Sequence, residues 1–401
     1  MIRTLMAATA ATWLVLAAVT PAVAQRSLAD VLGQATPEGK PKTFLDEVML
    51  FSYIENSFVG NLRGTGRGDV NELRLYDLDG GYTFNMAEFS IKKDPSDAHP
   101  FGFGLSITGG EDARKNHALG LFRGDDDIYP YRDTVPIDLL EAYASYKLPL
   151  GSGLTLKAGK FASLLGFEVI EGPLNLNFSR SMLFTFAVPL THVGALLSYS
   201  FGDTFTVTAG PVVGWDVAKD NNGGMSVMGQ FIFTPTKDWI AGLNWITGPE
   251  QPGNSRNVRT VLDWTLSYNG LKNTVLGANF DYGWENKEAS LVAAGLSHTT
   301  ATWWGLAGYA AYDWTEKLRT SFRAEYFVDS DSARTAAQAP GLRTAVWETT
   351  ATLRYKIWKG LAARVEYRHD QANERVFKIT NTGPTSKAQD TLTLVLHYLF
   401  F

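Results

Sequence analysis

The chain has 401 residues, and 36 Lys and Arg stand against 41 Asp and Glu, so no basic excess indicates a nucleic-acid partner. It contains no cysteine, which excludes a disulfide-stapled secreted fold and a thiolate metal site. Aromatic residues make up 12% of the chain and there are 38 glycines, while the mean hydropathy of −0.09 is too polar for a bundle of membrane helices.

The first 24 residues have the pattern of a secretory signal peptide. Arg3 precedes an apolar run that includes Trp13–Val19, and Ala22-Val23-Ala24 is a small-x-small cleavage site. A single membrane anchor is the alternative, although the apolar run is short for one. Residues 25–47 then predict an N-terminal periplasmic segment or linker, because Thr36–Lys42 is rich in Pro, Gly and Lys.

From Val48 onward, runs of about 10–14 residues alternate between apolar and polar side chains, which is the pattern of half-exposed strands. We predict about sixteen strands, near residues 48–60, 81–93, 100–110, 137–147, 153–165, 189–201, 204–217, 225–235, 238–248, 258–269, 272–285, 302–314, 317–328, 346–357, 360–371 and 389–401.

The connections between these strands alternate in length. Tight turns such as Gly202-Asp203 and Lys359-Gly360 follow every second strand. The other connections are long, at 61–80, 111–136, 166–188, 286–301, 329–345 and 372–388, with intermediate ones at 218–224 and 249–257. A soluble sandwich gives no reason for this alternation. The pattern instead predicts an all-β transmembrane antiparallel barrel over residues 48–401, with short periplasmic turns and long extracellular loops.

The last strand supports this prediction, because it alternates to the end of the given sequence. Leu392, Leu394, Leu396, Tyr398 and Phe400 share one face, and Phe401 falls one position out of phase. We expect this strand to close against residues 48–60, which leaves no open edge in lipid. We also expect the barrel assembly machinery to recognise it.

Three neighbouring strands, near 317–328, 346–357 and 360–371, carry a charged face opposite an apolar one. A charge facing the bilayer midplane costs about 2–4 kcal/mol per Arg or Lys, so the charged face must line the lumen. It would form a basic ladder on one wall of a wet interior, made of Arg319, Arg323, Arg354, Lys356, Arg364 and Arg368.

Two segments in the centre of the chain carry a family resemblance. Asn177–Ser181, followed by Phe184–Gly194, resembles the motif of the OmpL-like β-barrel porin family, and the resemblance extends over residues 48–401. It implies a single barrel with porin activity in the outer membrane of a Gram-negative bacterium. It supplies no catalytic residue and no cofactor.

Loop 166–188 is the candidate functional segment, since the third extracellular loop of sixteen-stranded porins typically folds inward. It contains Glu168, Glu171 and Arg180. Our hypothesis is that the two carboxylates face the basic ladder across a constriction and create a transverse field for charged solutes. The alternative is that the ladder forms internal salt bridges with carboxylates of its own wall, namely Glu325, Glu348, Glu366 and Asp370.

Two other candidate sites, one for a cation and one for catalysis, have weaker support in the sequence. Asp125, Asp126 and Asp127 could bind a divalent cation, but they lack the spacing of a calcium loop, which favours a solvated surface charge run instead. Ser181 and His192 are close in sequence without an activating third group, so we predict no enzyme.

These observations predict a passive channel for small hydrophilic or charged solutes. The alternative is a structural barrel whose lumen is closed and whose surface loops bind a partner. In either case we expect contact with outer-membrane lipid and lipopolysaccharide, and a homo-oligomer is left open.

Overall fold

Sixteen strands form one antiparallel sheet that closes on itself. The computed structural model describes residues 25–38, 40–64, 71–78, 80–122, 135–378 and 385–400. Within them the barrel strands are β1 (Val48–Asn61), β2 (Gly81–Lys93), β3 (Phe101–Gly109), β4 (Ile137–Leu148), β5 (Leu154–Ala162), β6 (Thr191–Phe201), β7 (Phe205–Val212), β8 (Ser226–Thr236), β9 (Trp239–Gln251), β10 (Asn254–Tyr268), β11 (Thr274–Glu285), β12 (Ala301–Asp313), β13 (Leu318–Asp329), β14 (Thr344–Lys356), β15 (Leu361–Ala372) and β16 (Ala388–Leu399).

The barrel closes between its last and first strands. β16 pairs antiparallel with β1, in a register that runs from Leu399 opposite Tyr53 to Thr391 opposite Asn61. β8 and β9 complete the ring on the far side. Closure satisfies every strand edge, as a sheet surrounded by lipid requires. The predicted sixteen-stranded barrel is therefore confirmed, as is the pairing of the last strand with the first.

The two faces of the sheet differ as the alternation predicts. On β16, Leu392, Leu394 and Leu396 point outward and are 41–51% exposed, whereas Thr393 and Val395 between them are 2% and 3% exposed. The exposed apolar residues form the outer band that lipid covers. Phe401, whose phase differs in the sequence, lies outside the described residues.

Some strand bounds differ from the sequence prediction. β5 ends at Ala162, where the connection to β6 leaves the wall, and β7 ends at Val212, both before the predicted bounds. β9 and β10 are longer than predicted and are joined through Pro252-Gly253, where Gly253 has a φ of +69°. Residues 249–257 are thus a tight hairpin rather than a loop of intermediate length.

The remaining elements are short. Strand Arg26–Ser27 pairs with Met49 and Leu50 at the periplasmic end of β1, and Phe377–Lys378 pairs with Thr385–Ser386. The helices are α1 (Leu28–Val31), α2 (Phe44–Glu47) and α3 (Ala289–Ala293), with 3-10 turns at Asp112–Asn116 and Gly172–Leu174 and a π turn at Leu183–Ala187. None of the helices among the described residues is long and apolar enough to cross a membrane.

Candidate functional site

The connection between β5 and β6 lies inside the barrel rather than outside it. Ala162 and Thr191 are paired at its two ends, and the N–H of Ser163 donates to the carbonyl of Leu190 at 2.9 Å. We call residues 163–190 the inward loop. Nearly all of its side chains are buried, including charged Arg180, which is 4% exposed. The loop therefore lies within the barrel lumen.

Two carboxylates of the wall hold the backbone of the inward loop. Each accepts two consecutive N–H groups, and hydrogen bonds to an ionised acceptor are stronger than neutral ones. The contacts are Met182 and Leu183 on Glu325, both at 2.7 Å, and Phe178 and Ser179 on Glu366, at 2.6 and 2.9 Å. Strands β13 and β15 thus provide two of the loop's anchors.

Arg323 joins the loop to the same wall. Its guanidinium donates to Glu168 at 2.6 Å, to the carbonyl of Ser179 at 2.6 Å and to Glu348 on β14 at 2.6 Å. Glu168 also accepts the N–H of Ser181 at 2.7 Å. No gap separates Glu168 from Arg323, so this pair fixes the loop.

Two further arginines of the ladder donate to loop carbonyls. Arg364 reaches Gly172 and Pro173 at 3.1 and 3.0 Å, and Arg368 reaches the carbonyl of Arg180 at 2.6 Å. Arg368 also pairs with Asp370 on its own strand, at 2.8 Å. We call β12 to β15 the anchor wall. The charged face that the sequence predicts to be wet is covered by the inward loop here.

Arg180 is a clamp within the loop rather than a lining charge. Its guanidinium donates to the carbonyls of Val169 and Ile170 at 3.0 and 2.7 Å and to that of Phe178. It also lies 5.0 Å from the ring of Tyr76. These bonds connect the descending and returning halves of the loop.

The other basic residues of the ladder lie near the periplasmic end. Arg319 is opposite Arg354 and Arg354 is opposite Arg364 in the strand register, so three guanidinium groups form one cross-strand row. Arg319 pairs with Asp313 at 2.6 Å, and Lys356 is partly exposed at the end of β14. The predicted ladder is therefore divided into loop anchors and a periplasmic row.

Extracellular loops cover the inward loop from above. The ring of Tyr76 lies against Arg180 of the inward loop, and neighbouring Arg74 pairs with Asp77 and with Asp370 of the barrel wall, both at 2.5 Å. Arg334 donates to the carbonyl of Phe186 at 2.9 Å and stacks against Trp215 at 4.7 Å. These contacts narrow the extracellular mouth.

A cavity remains on the opposite side of the inward loop. It measures about 70 Å³, which is enough for several water molecules. The inward loop lines one side of it, and the other side comes from β2, β4, β5 and β8 to β10, which we call the open wall. Charged residues in the lining are Lys92, Asp94, Glu141, Lys157, Glu168 and Glu171.

Lys92, Glu141 and Lys157 were not among the residues singled out from the sequence. Each has the inward parity of its strand, so the period-2 rule that identified the ladder applies to them as well. Glu171 lies on this side and not against the ladder. Burial raises the pKa of the Glu171 carboxyl, nearby Lys92 lowers it, and Glu141 raises it.

The structure gives no support to the two weaker candidate sites, the Ser181–His192 pair and the aspartates at 125–127. The ring of His192 contacts the carbonyl of Gly214 at 2.8 Å and Ser163 at 3.2 Å, and no contact between His192 and Ser181 is found. Asp125, Asp126 and Asp127 lie outside the described residues, among which no group of three or more His, Asp or Glu side chains could hold a metal ion.

Comparison with known proteins identifies the family. A family model described as "Putative beta-barrel porin-2, OmpL-like" matches residues 52–400. The chain belongs to this family. It is therefore a bacterial outer-membrane β-barrel, and its family and fold support a porin role. No curated protein sequence matches this chain.

Solved structures give the same architecture at low sequence identity. OmpF of Salmonella typhi, in complex with daunomycin, is 12% identical with a TM-score of 0.57, over 88% of this chain and 97% of that chain. The channel DcaP of Acinetobacter baumannii is 12% identical with a TM-score of 0.55, over 88% and 97%. The trimer form of OmpT of Vibrio cholerae is 9% identical with a TM-score of 0.50, over 88% and 99%. These likenesses concern the fold.

Asp112, in the second extracellular connection, gives a pH-dependent prediction. Burial raises its pKa to about 7, Lys115 and Arg180 lower it, Glu55 raises it, and Asn85 donates to it. Because folding favours the protonated form, its contribution to stability is complete below the ordinary pKa of 3.8 and is lost as the pH rises through about 7. We expect the Asp112→Asn variant to keep its stability over this pH range. The measurement is hydrogen exchange of residues 110–122 at pH 5 and pH 8, after correction for intrinsic rates.

The control for this prediction is Asp220→Asn, which removes an acid from another extracellular connection, where backbone N–H groups of Asn222 and Gly223 lower its pKa. The same pH dependence in the Asp112→Asn variant as in the parent would contradict the prediction.

Proposed function

We propose that this barrel is a passive diffusion channel for small hydrophilic or charged solutes, with the inward loop as its constriction. The observation that carries the proposal is the one-sided attachment of the loop. It is anchored to β12–β15 and leaves a polar cavity along the open wall. A route past a fixed loop is what a selective diffusion pore requires.

Charge along this route sets selectivity in our proposal. The residues singled out from the sequence contribute in three ways. Glu168 and Glu171 line the cavity. Glu168 and Arg180 also hold the loop in place with Arg323, Arg364 and Arg368, while Arg319, Arg354 and Lys356 present positive charge toward the periplasmic side. Solutes would cross a field between the open wall and this row. No chemical step is involved.

Single-channel recording tests the proposal. The full barrel, folded and confirmed by heat-modifiable migration in gels, is incorporated into a planar bilayer in KCl. We expect stepwise ohmic openings of uniform size, because the constriction is fixed by hydrogen bonds and ion pairs. A folded barrel that inserts and conducts no current would refute the channel.

One observation favours the second function, a structural barrel with a closed lumen. The extracellular loops pack onto the inward loop through Tyr76 and Arg334, and the cavity is small. In that case the surface loops would bind a partner. A silent but folded barrel in the same recording supports this alternative.

The outer-membrane location of the barrel indicates which partners it contacts. We propose contacts with outer-membrane lipid and lipopolysaccharide at the outer band, and recognition of β16 by the barrel assembly machinery. The OmpT neighbour is described as a trimer form, so we also propose a homo-oligomer for this chain. Cross-linking of the barrel in native outer membranes tests the oligomer, and a monomer band alone would oppose it.

A further inference from the structure

The periplasmic row of three arginines is extended by a fourth basic residue. Arg319 is opposite Arg354, and Arg354 is opposite Arg364. Lys356 follows Arg354 by two positions, so it lies on the same face of β14. This face is the inward one, since neighbouring Leu353 points outward and is 44% exposed. Opposite side chains on adjacent strands lie about 4.5–5.5 Å apart at their Cβ atoms, so four basic groups share one small area of the lumen wall.

Carboxylates do not balance this row. Asp313 pairs with Arg319 at 2.6 Å. Glu55 of β1 is opposite His397 of β16, 3.9 Å from its ring nitrogen, and forms no ion pair with the row. The side chains of Arg354 and Lys356 form no hydrogen bond or ion pair with any described residue. Both are therefore cations without a carboxylate partner in the described part of the chain.

Two arginines of the row have donors that no acceptor satisfies. The Nε atoms of Arg354 and Arg364 are buried and have no hydrogen-bond partner within the described residues. The other two nitrogens of Arg364 donate to the carbonyls of Gly172 and Pro173 of the inward loop, which fixes the position of this guanidinium. A buried donor without an acceptor is costly, and more so when it is charged. The arrangement therefore favours a negatively charged acceptor beside these two nitrogens.

Two members of the row can be reached from the periplasm. Arg354 and Lys356 are partly exposed, and Lys356 is the last residue of β14, beside the periplasmic turn 357–360. Arg364 is 1% exposed and is covered by residues 172–173 of the inward loop. An anion that enters from the periplasmic mouth would therefore meet Arg354 and Lys356 before it reaches the loop.

We infer that Arg354 and Lys356, with Arg364 behind them, form a subsite for solutes that carry a phosphate group. This inference rests on the proposed channel function and specifies its substrate class. Guanidinium groups present planar donor forks that match the oxygens of phosphate, and a lysine ammonium adds a compact positive charge. A phosphate group carries up to two negative charges, so it gains more Coulomb energy beside this row than chloride does.

Equilibrium dialysis of the folded barrel in detergent against radiolabelled inorganic phosphate tests the subsite. We expect the unmodified barrel to bind phosphate. Arg354→Gln with Lys356→Gln should bind it at least about tenfold more weakly, because charge-assisted hydrogen bonds to the anion are lost. Arg354→Gln alone serves as a second variant, and heat-modifiable migration in gels checks the folding of both. Phosphate binding of unchanged strength in the double variant overturns the subsite.

The matched control is Lys237→Gln with Arg256→Gln. It removes the same two charges from exposed positions outside the row, Lys237 in the turn between β8 and β9 and Arg256 near the start of β10. This variant should bind phosphate as the unmodified barrel does. An equal loss of binding in the control would overturn the subsite, because binding would then depend on net charge and not on the row.

The same binding measurement separates the subsite from the channel. A barrel that conducts and binds no phosphate refutes the subsite alone. A barrel that binds phosphate without conducting refutes the channel and retains the subsite. Competition with glycerol 3-phosphate then distinguishes the two sources of the group: displacement assigns the subsite to phosphate esters, and no displacement assigns it to inorganic phosphate.

Discussion

Removal of the inward loop should increase the unitary conductance several-fold. The change replaces residues 164–189 with Asn-Gly, a dipeptide that suits a two-residue hairpin. Ser163 and Leu190 are already hydrogen-bonded at 2.9 Å, so β5 and β6 can be joined at this point without altering their register. We expect the cross-section available to ions to grow because the loop lies within the lumen. Planar bilayer recording in KCl measures the effect.

The matched control shortens an extracellular connection by replacing residues 289–296, which include α3 at the rim, with the same dipeptide. This change should leave the unitary conductance close to that of the unmodified channel. A loop-deleted barrel that folds, inserts and conducts as before would show that current does not pass through the space that the loop occupies.

The second large effect is expected from the carboxylates that hold the loop backbone. Glu325→Gln with Glu366→Gln leaves one acceptor oxygen at each position, so two of the four charge-assisted hydrogen bonds become neutral and two lose their acceptor. A hydrogen bond to a charged group contributes about 1.5–3 kcal/mol. We expect the N–H groups of Phe178, Ser179, Met182 and Leu183 to exchange with solvent at least about tenfold faster, since each 1.4 kcal/mol is a factor of ten. Hydrogen–deuterium exchange measures these rates.

In planar bilayer recording, the weaker attachment of the inward loop should appear as channel openings with a larger and noisier current. Asp313→Asn is the control, since it also removes a carboxylate of the lumen wall but one that pairs with Arg319 and not with the loop. Unchanged exchange at the four loop amides in the double variant would mean that the apolar contacts of the loop hold it without these carboxylates.

The apolar contacts are extensive, which explains why the sequence does not predict the buried state of the loop. Leu165, Phe167 and Leu183 belong to one cluster with Trp303 and Phe327 of the wall. From the sequence these wall residues read as ordinary inward positions of strands. Only the folded chain brings the loop against them, because they are more than a hundred residues away from it.

The charged residues of the wall show the same difference between what the local sequence predicts and what depends on distant segments. The inward direction of Arg323, Arg364 and Glu366 follows from strand alternation alone. Their partners do not, since Arg323 binds Glu168 of the loop and Glu366 binds Phe178 and Ser179. A residue's face is a local property, while its partner depends on where a distant segment is placed.

The sequence by itself determined the barrel, its strand number, the closing pair of strands and the inward loop as the segment to examine. These features are repeated along the chain as alternation and turn length, so they are readable without distant contacts. Only the tertiary structure decided that the basic ladder holds the loop, and that the remaining space lies on the opposite wall with Lys92, Glu141 and Glu171. The physical reason is that the inward loop is irregular, and its position is fixed by side chains of strands that follow it in the chain.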